Sequence, residues 1–310
     1  MWSSVAAFFF QCLVILRDAL VVLILPADIF VGLAIIAKGF YPALTAAKQA
    51  IRETRVNLTI YILNTLILGP ILVVLYALTT NFADRFSLRL ISPHFWDSLP
   101  SVVVGFVAVV IGDFIGYWRH RLEHTRFLWP AHAVHHSDTN MTWLALERFH
   151  PINRVSTFII DNSALILLGF PAYALLVYTA VKHYYGYLIH ADLPWTYGRL
   201  GNVFVSPVMH RWHHSIEPSA YQTNFATVFS IFDRMFGTYR VPGMPDTLLG
   251  VESHKGKGVI AQLLYPLKPS AYGLVPRISR KAFLGPKSKD RTNTNQSTED
   301  SVSQNGSIWT

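Results

Sequence analysis

Between Val56 and Leu78 the chain runs for 23 residues without a single charged side chain. A helix rises about 1.5 Å per residue and a bilayer core is about 30 Å thick, so roughly 20 such residues cross it. A segment this uniformly apolar has no polar face to turn to water, and the run therefore ties the chain to a membrane. Pro70, inside it, lacks the N–H of a helix interior and predicts a kink. Two more runs are of the same kind. Residues 13–37 are apolar apart from Arg17, Asp18, Pro26 and Asp28, and no basic start of a secretory signal precedes them, which predicts a retained span. After a mixed loop from Thr79 to Pro100, residues 101–118 form a third run carrying one acid, Asp113. A carboxylate inside a span is costly and marks function; otherwise it sits near the interface, paired with Arg119 or Arg121.

Composition agrees. Of 310 residues 52% are hydrophobic and only 14% charged, with mean hydropathy +0.33, where a soluble domain is about 25% charged. The net charge of +8 sits in short loops beside apolar runs and in the last thirty residues, not on one continuous face. That argues against nucleic acid and fits cytoplasmic flanks of membrane spans. Lys38, Lys48, Arg52 and Arg55 place the 38–55 segment in the cytoplasm, and after two crossings His120 emerges on that side. The single cysteine, Cys12, excludes intrachain disulfides, thiolate zinc sites and iron–sulfur clusters.

Against one cysteine stand 13 histidines. Eight fall in three groups: His120-Arg-Leu-Glu-His124, His132-Ala-Val-His135-His136 and His210-Arg-Trp-His213-His214. Positions i, i+3 and i+4 share a helix face. In a chain of this histidine content, one H-x-x-H-H is expected by chance only about 0.02 times. Imidazole suits zinc, copper, iron and nickel, and eight neutral donors suffice for two metals with room left for water or oxygen. Iron is the metal among these that attacks unactivated C–H bonds with oxygen. A rival reading takes His120-x-x-Glu123-His124 as an inverted zinc-peptidase motif with Glu123 as general base, which leaves both H-x-x-H-H groups without a role. A non-enzymatic metal-binding membrane protein is the third reading.

From Asp113 to Arg240 the residues resemble the fatty acid hydroxylase/sterol desaturase superfamily of integral membrane oxygenases. The resemblance rests on Trp118-Arg-His120-Arg-Leu-Glu-His124, Trp129-Pro-Ala-His132-Ala-Val-His135-His136-Ser137, Arg148-Phe-His150-Pro151, His190-Ala-Asp192, His210-Arg-Trp-His213-His214-Ser215, Asn224-Phe225 and Asp233-Arg-Met-Phe-Gly237-Thr238. It implies a non-haem di-iron centre that uses dioxygen and two electrons to hydroxylate or desaturate a lipid such as a sterol or fatty acyl chain. The ligands it implies are His120, His124, His132, His135, His136, His210, His213 and His214, with His190 as a ninth. Relatives can carry another histidine four residues before that one; here it is Gly186. His150 and His183 are further ligand candidates, and Glu123, Asp233 and Asp113 are candidates for supporting the ligands, since a bound imidazole donates its other N–H to such a group.

A shared centre also fixes the topology. The apolar run Val155–Ile189 separates two ligand groups, so it must enter the membrane and return, turning at Gly169-Phe170-Pro171. The expected protein is an all-α, multi-pass integral membrane protein with spans in hairpins and a cytosolic histidine-rich helical cap. Its expected organisation is N-terminal spans and loops over 1–100, a catalytic domain over 101–250 containing the re-entrant hairpin 155–189, a membrane-surface segment over 251–286 and a disordered polar tail over 287–310. Two iron ions are the expected cofactors, replaceable by zinc on overexpression, with O2 as co-substrate. No flavin or nicotinamide fingerprint is present, so electrons come from a b-type haem protein, ferredoxin or reductase. Arg119, Arg121, Arg126, Arg148 and Arg211 offer such an acidic carrier a basic docking face. The expected location is a bacterial inner membrane or the endoplasmic reticulum, with the site facing the cytoplasm.

Overall fold

A computed structural model describes residues 2–245, 247–251 and 258–273, all within one compact unit. The 287–310 tail and much of the 251–286 segment lie outside the described residues. Among those described, every named element is helical, apart from two isolated β-bridges. Three stretches are long and apolar enough to cross a membrane: Phe10–Lys38, Phe40–Arg85 and Ser101–Glu123. Helix α1 is Trp2–Lys38 and runs through Pro26. Its Val21, Val22, Ile24 and Leu25 are exposed, as side chains that meet lipid would be.

The uncharged run lies in the second stretch, which is longer than hydropathy alone predicts. Helix α2 (Phe40–Leu63) passes through a π turn at Asn64–Leu68 into α3 (Gly69–Arg85). The wide turn immediately precedes Pro70, whose ring would clash with the carbonyl four residues back in a regular helix. Helix α3 continues past Leu78 to Arg85, so the first residues of the expected 79–100 loop are helical. That loop also holds a short α4 (Pro93–Asp97).

Helix α5 (Ser101–Glu123) and α9 (Ala172–His190) pack closely. Gly105 and Gly112 of α5 lie against Val177 and Tyr178 of α9, and Val104, Ala108, Leu165, Ile166, Ala174 and Leu175 fill the seam. The 155–189 run forms α7 (Pro151–Thr157), a π turn at Phe158–Asn162, α8 (Ser163–Leu167) and then α9. The chain breaks between Leu168 and Pro171, where Gly169 has φ +78°, a conformation glycine adopts without cost. Trp96 stacks on Phe170 and donates its indole N–H to the Leu168 carbonyl at 3.0 Å. Short helices α6 (Trp129–His136), α10 (Pro207–His213) and α11 (Ile231–Met235) carry or support the histidines. Residues 258–273 form α12 (Val259–Leu263) and two 3-10 turns.

Candidate metal centre

Nine buried histidines converge in two groups. His120, His124, His132, His136 and His213 form one; His135, His190, His210 and His214 form the other. Within each group, one nitrogen per ring lies within 4.8 Å of all the others. The groups adjoin, with the His136 and His214 rings stacked 4.3 Å apart. The sequence suggested that each H-x-x-H-H points its imidazoles one way, but the structure divides them. On α6, His132 and His136 enter the five-histidine group and His135 the four-histidine group; on α10, His210 and His214 enter the four and His213 the five. At about 100° per residue, i+4 lies about 40° from i, while i+3 lies about 60° to the other side. Each short helix therefore fans its rings between two centres.

The rings are held by their outer nitrogens. His120 Nδ1 donates to the Phe225 carbonyl, His213 Nδ1 to the Thr223 carbonyl and His190 Nδ1 to the Gly186 carbonyl, each at 2.7 Å. A proton on Nδ1 leaves Nε2 as a lone pair. Yet the Nε2 atoms of His120 and His213 face each other at 3.0 Å, and those of His190 and His210 at 3.0 Å. For His120 and His213 no proton is left to lie between the two nitrogens, and a cation resolves the repulsion. Neighbouring donors each about 2.1 Å from one metal at right angles are about 3.0 Å apart. The donor set thus fits two metal ions bound by imidazole nitrogen. Burial, reinforced by neighbouring imidazoles, holds His124, His132, His135, His136, His210 and His214 well below the usual histidine range; burial alone takes His213 down to about 4. Neutral imidazole is the ligating form. Phe149 stacks on His135 at 4.5 Å and Phe225 packs edge-on to His124 at 5.1 Å, so the inner surfaces are apolar.

The supporting acids act one step further out than the sequence suggests. Asp233 touches no imidazole. It accepts from the Phe225 N–H at 2.7 Å, the Ala226 N–H at 2.9 Å and the Thr238 hydroxyl at 2.7 Å, and so fixes the strand of backbone whose carbonyl holds His120. Asp113 pairs with neither Arg119 nor Arg121; it accepts from the Val228 N–H at 3.1 Å and the Phe229 N–H at 2.8 Å. Two buried carboxylates thus anchor one loop by its amides, and Asn224, at φ +60°, ties that loop to the Met209 and Arg240 carbonyls. The anchoring amides belong to the backbone and leave no mark in the sequence.

Glu123 lies outside the metal groups. Its oxygens take Arg119 and the Ser156 hydroxyl, each at 2.6 Å, and it stands 3.5 Å from His132 Nδ1. The zinc-peptidase reading needs this carboxylate free to activate water, and both its oxygens are occupied behind the His132 ring. His150 caps α7, its Nδ1 accepting from the Ile152 N–H and its Nε2 donating to the Leu263 carbonyl. His183 lies 3.5 Å from Glu147. Neither candidate reaches either group. The basic face is likewise smaller than the sequence implies: Arg119 is buried between Glu123 and Asp161, Arg148 is buried on Glu53, and Arg211 lies against Asp192.

Residues 105–238 match the fatty acid hydroxylase family. The chain is 34% identical over 200 residues to an ornithine lipid hydroxylase, OlsE, of Rhizobium tropici, covering 64% of this chain and 58% of that protein. It is 31% identical over 145 residues to an alkylglycerol monooxygenase of Danio rerio, covering 46% and 31%. With methylsterol monooxygenase 1-3 of Arabidopsis thaliana it shares 26% identity over 197 residues, covering 57% and 60%. The chain thus spans less than two thirds of these relatives' own lengths. No solved structure matches it. Residues 105–238, which carry every member of both histidine groups, are the part of the chain that matches the fatty acid hydroxylase family.

Proposed function

We propose that the protein is a membrane-bound di-iron oxygenase that hydroxylates a lipid. The observation that carries this reading is the pair of adjoining all-histidine groups, five and four, on a family domain set beside apolar helices. His120, His124, His132, His136 and His213 would hold one iron, and His135, His190, His210 and His214 the other. With two electrons and two protons supplied from outside, such a centre places one atom of O2 in a C–H bond and releases the other as water. The chain's part is to keep nine imidazoles neutral, to fix His120, His190 and His213 through backbone carbonyls, and to keep the site dry with Phe149 and Phe225. Hydroxylation is favoured over desaturation because the relatives named above are hydroxylases or monooxygenases. The electron donor is a separate b-type haem protein, ferredoxin or reductase, and the cations of the 38–55 segment orient the site to the cytoplasm.

Metal analysis and lipid profiling test the proposal together. Protein expressed with iron carries about two metals per chain, as nine ligands in two groups require, and cells expressing it gain a lipid heavier by one oxygen atom. His135→Ala or His213→Ala abolishes that product while the protein still inserts into the membrane. Wild-type turnover by either variant would refute the proposal. Zinc in the purified protein would not, since zinc replaces iron in imidazole sites.

A further inference from the structure

A cavity of about 660 Å³ lies between the end of α1, the first half of α2 and residues 139–144, 191–193 and 247–249. Its size falls within the usual 300–1,000 Å³ of ligand sites. Three parts of its wall continue from ligand-bearing turns. Ala191, Asp192 and Leu193 follow His190; Arg211 follows His210; and Leu249 precedes Gly250, whose N–H donates to the His214 carbonyl at 3.2 Å. All three histidines belong to the four-histidine group, so the cavity wall is continuous with that half of the centre.

The lining is mostly apolar, with Phe30, Ala43, Ala47, Trp143, Leu144 and Leu249 among its residues, and it holds a cluster of charge. There Lys38 donates to Asp192, and Arg211 Nη1 stands 3.1 Å from the same carboxylate. The arginine is off the hydrogen-bond direction, so that buried nitrogen makes no hydrogen bond. Lys38 and Arg211 face one carboxylate, Asp192, which leaves one positive charge over and a donor unused.

We propose that this cavity binds the lipid substrate and selects lipids whose polar end carries an oxyanion, a carboxylate or a phosphate, over neutral lipids. The proposal rests on the lipid-oxygenase reading. An oxyanion seated on Arg211 and Lys38 would neutralise the surplus and complete the unused donor, while its chain lies along Ala43, Ala47 and Trp143. A neutral sterol or glycerol ether would cover the same apolar wall and leave the surplus charge and the unused Arg211 donor desolvated, which is the costly arrangement. Selection follows from that difference.

The single native cysteine makes the test direct. In the full chain with Cys12→Ser, Ala47→Cys puts the only thiol in the cavity wall, and its rate of maleimide modification is measured in dodecyl maltoside. Dioleoylphosphatidate should slow the reaction about tenfold more than dioleoylglycerol, which has the same chains and no phosphate, as one charge-assisted contact predicts. Oleate against oleyl alcohol repeats the comparison for a carboxylate, and protection by either anion beyond its neutral counterpart supports the proposal. Lys38→Gln, which removes the surplus charge, should bring each pair within about threefold, with metal content unchanged. Equal protection by charged and neutral lipids, no protection by any of them, or a preference that survives Lys38→Gln would overturn it. Lipid oxidation is assayed separately. An unprotected thiol in a protein that turns over removes the cavity proposal and spares the oxygenase reading, and protection without turnover does the reverse.

Discussion

Asp233→Asn separates the two halves of the centre. The carboxylate accepts two backbone N–H groups and a hydroxyl. Asparagine keeps one carbonyl oxygen and turns an NH2 toward the other amide, so one buried N–H is orphaned. That costs about 1–3 kcal/mol, and about 1 kcal/mol more follows from losing the charge on the bonds that remain. The cost falls on Phe225 and Ala226, hence on the carbonyl that orients His120 and on the adjacent Thr223 carbonyl that orients His213. Both rings belong to the five-histidine group, whereas His190 is held by Gly186 on α9. Loss of an orienting contact typically weakens metal binding about 10- to 100-fold. The variant should therefore release one metal per chain early in a chelator titration and retain the other at the wild-type chelator concentration. Adding His190→Ala should release the second as well. Simultaneous loss of both metals in the single variant, or wild-type retention of both, would refute the view that Asp233 acts through this loop on one group.

Two further outcomes follow from the fold and the buried histidines. Gly169→Ala should destabilise the detergent-solubilised protein by about 1–3 kcal/mol or more. A residue with a Cβ pays for φ +78°, and the new Cβ also collides with the Ile91 carbonyl; an unchanged thermal midpoint would show that the turn before α9 is not so constrained. In metal-free protein, stability should fall as pH drops below about 6.5, because an unfolded histidine takes up its proton there while His213 resists until about 4. The unfolded state then binds more protons, which favours it at acid pH. The contribution of His213 alone is on the order of 3 kcal/mol across that window, and a thermal midpoint flat from pH 8 to pH 5 would contradict it.

What the sequence showed and what it concealed divide along the range of the interactions. The spans were legible because hydropathy is a property of each residue, and Gly169-Phe-Pro171 was legible as a break because a glycine before a proline seldom continues a helix. Eight of the nine histidines that meet were named as ligand candidates from their local helical spacing, and the ninth, His190, from the family resemblance. The roles of Asp113 and Asp233 were not legible. Both are satisfied by main-chain amides, 115 residues away for Asp113 and Val228, and any residue but proline could supply those amides. Arg119 and Arg148 looked like surface cations because nothing local shows that Asp161 and Glu53 come to meet them.

The same division explains why the histidine motif was only half read. A pair at i and i+4, such as His120 and His124, turns two rings about 40° apart and keeps them in one group. On α6 and α10 the histidine at i+3 does not join the group of its i and i+4 neighbours, because it faces about 100° from i+4. In H-x-x-H-H it therefore belongs to a second group, and α6 and α10 realise this in opposite senses, each giving two rings to one group and one to the other. On α6 and α10 the H-x-x-H-H thus serves two neighbouring groups, where the H-x-x-x-H of α5 serves one. Two such helices facing each other with the shares exchanged are enough to hold the groups adjacent, and the five-to-four imbalance arises from the extra pair on α5 set against the single His190 on α9.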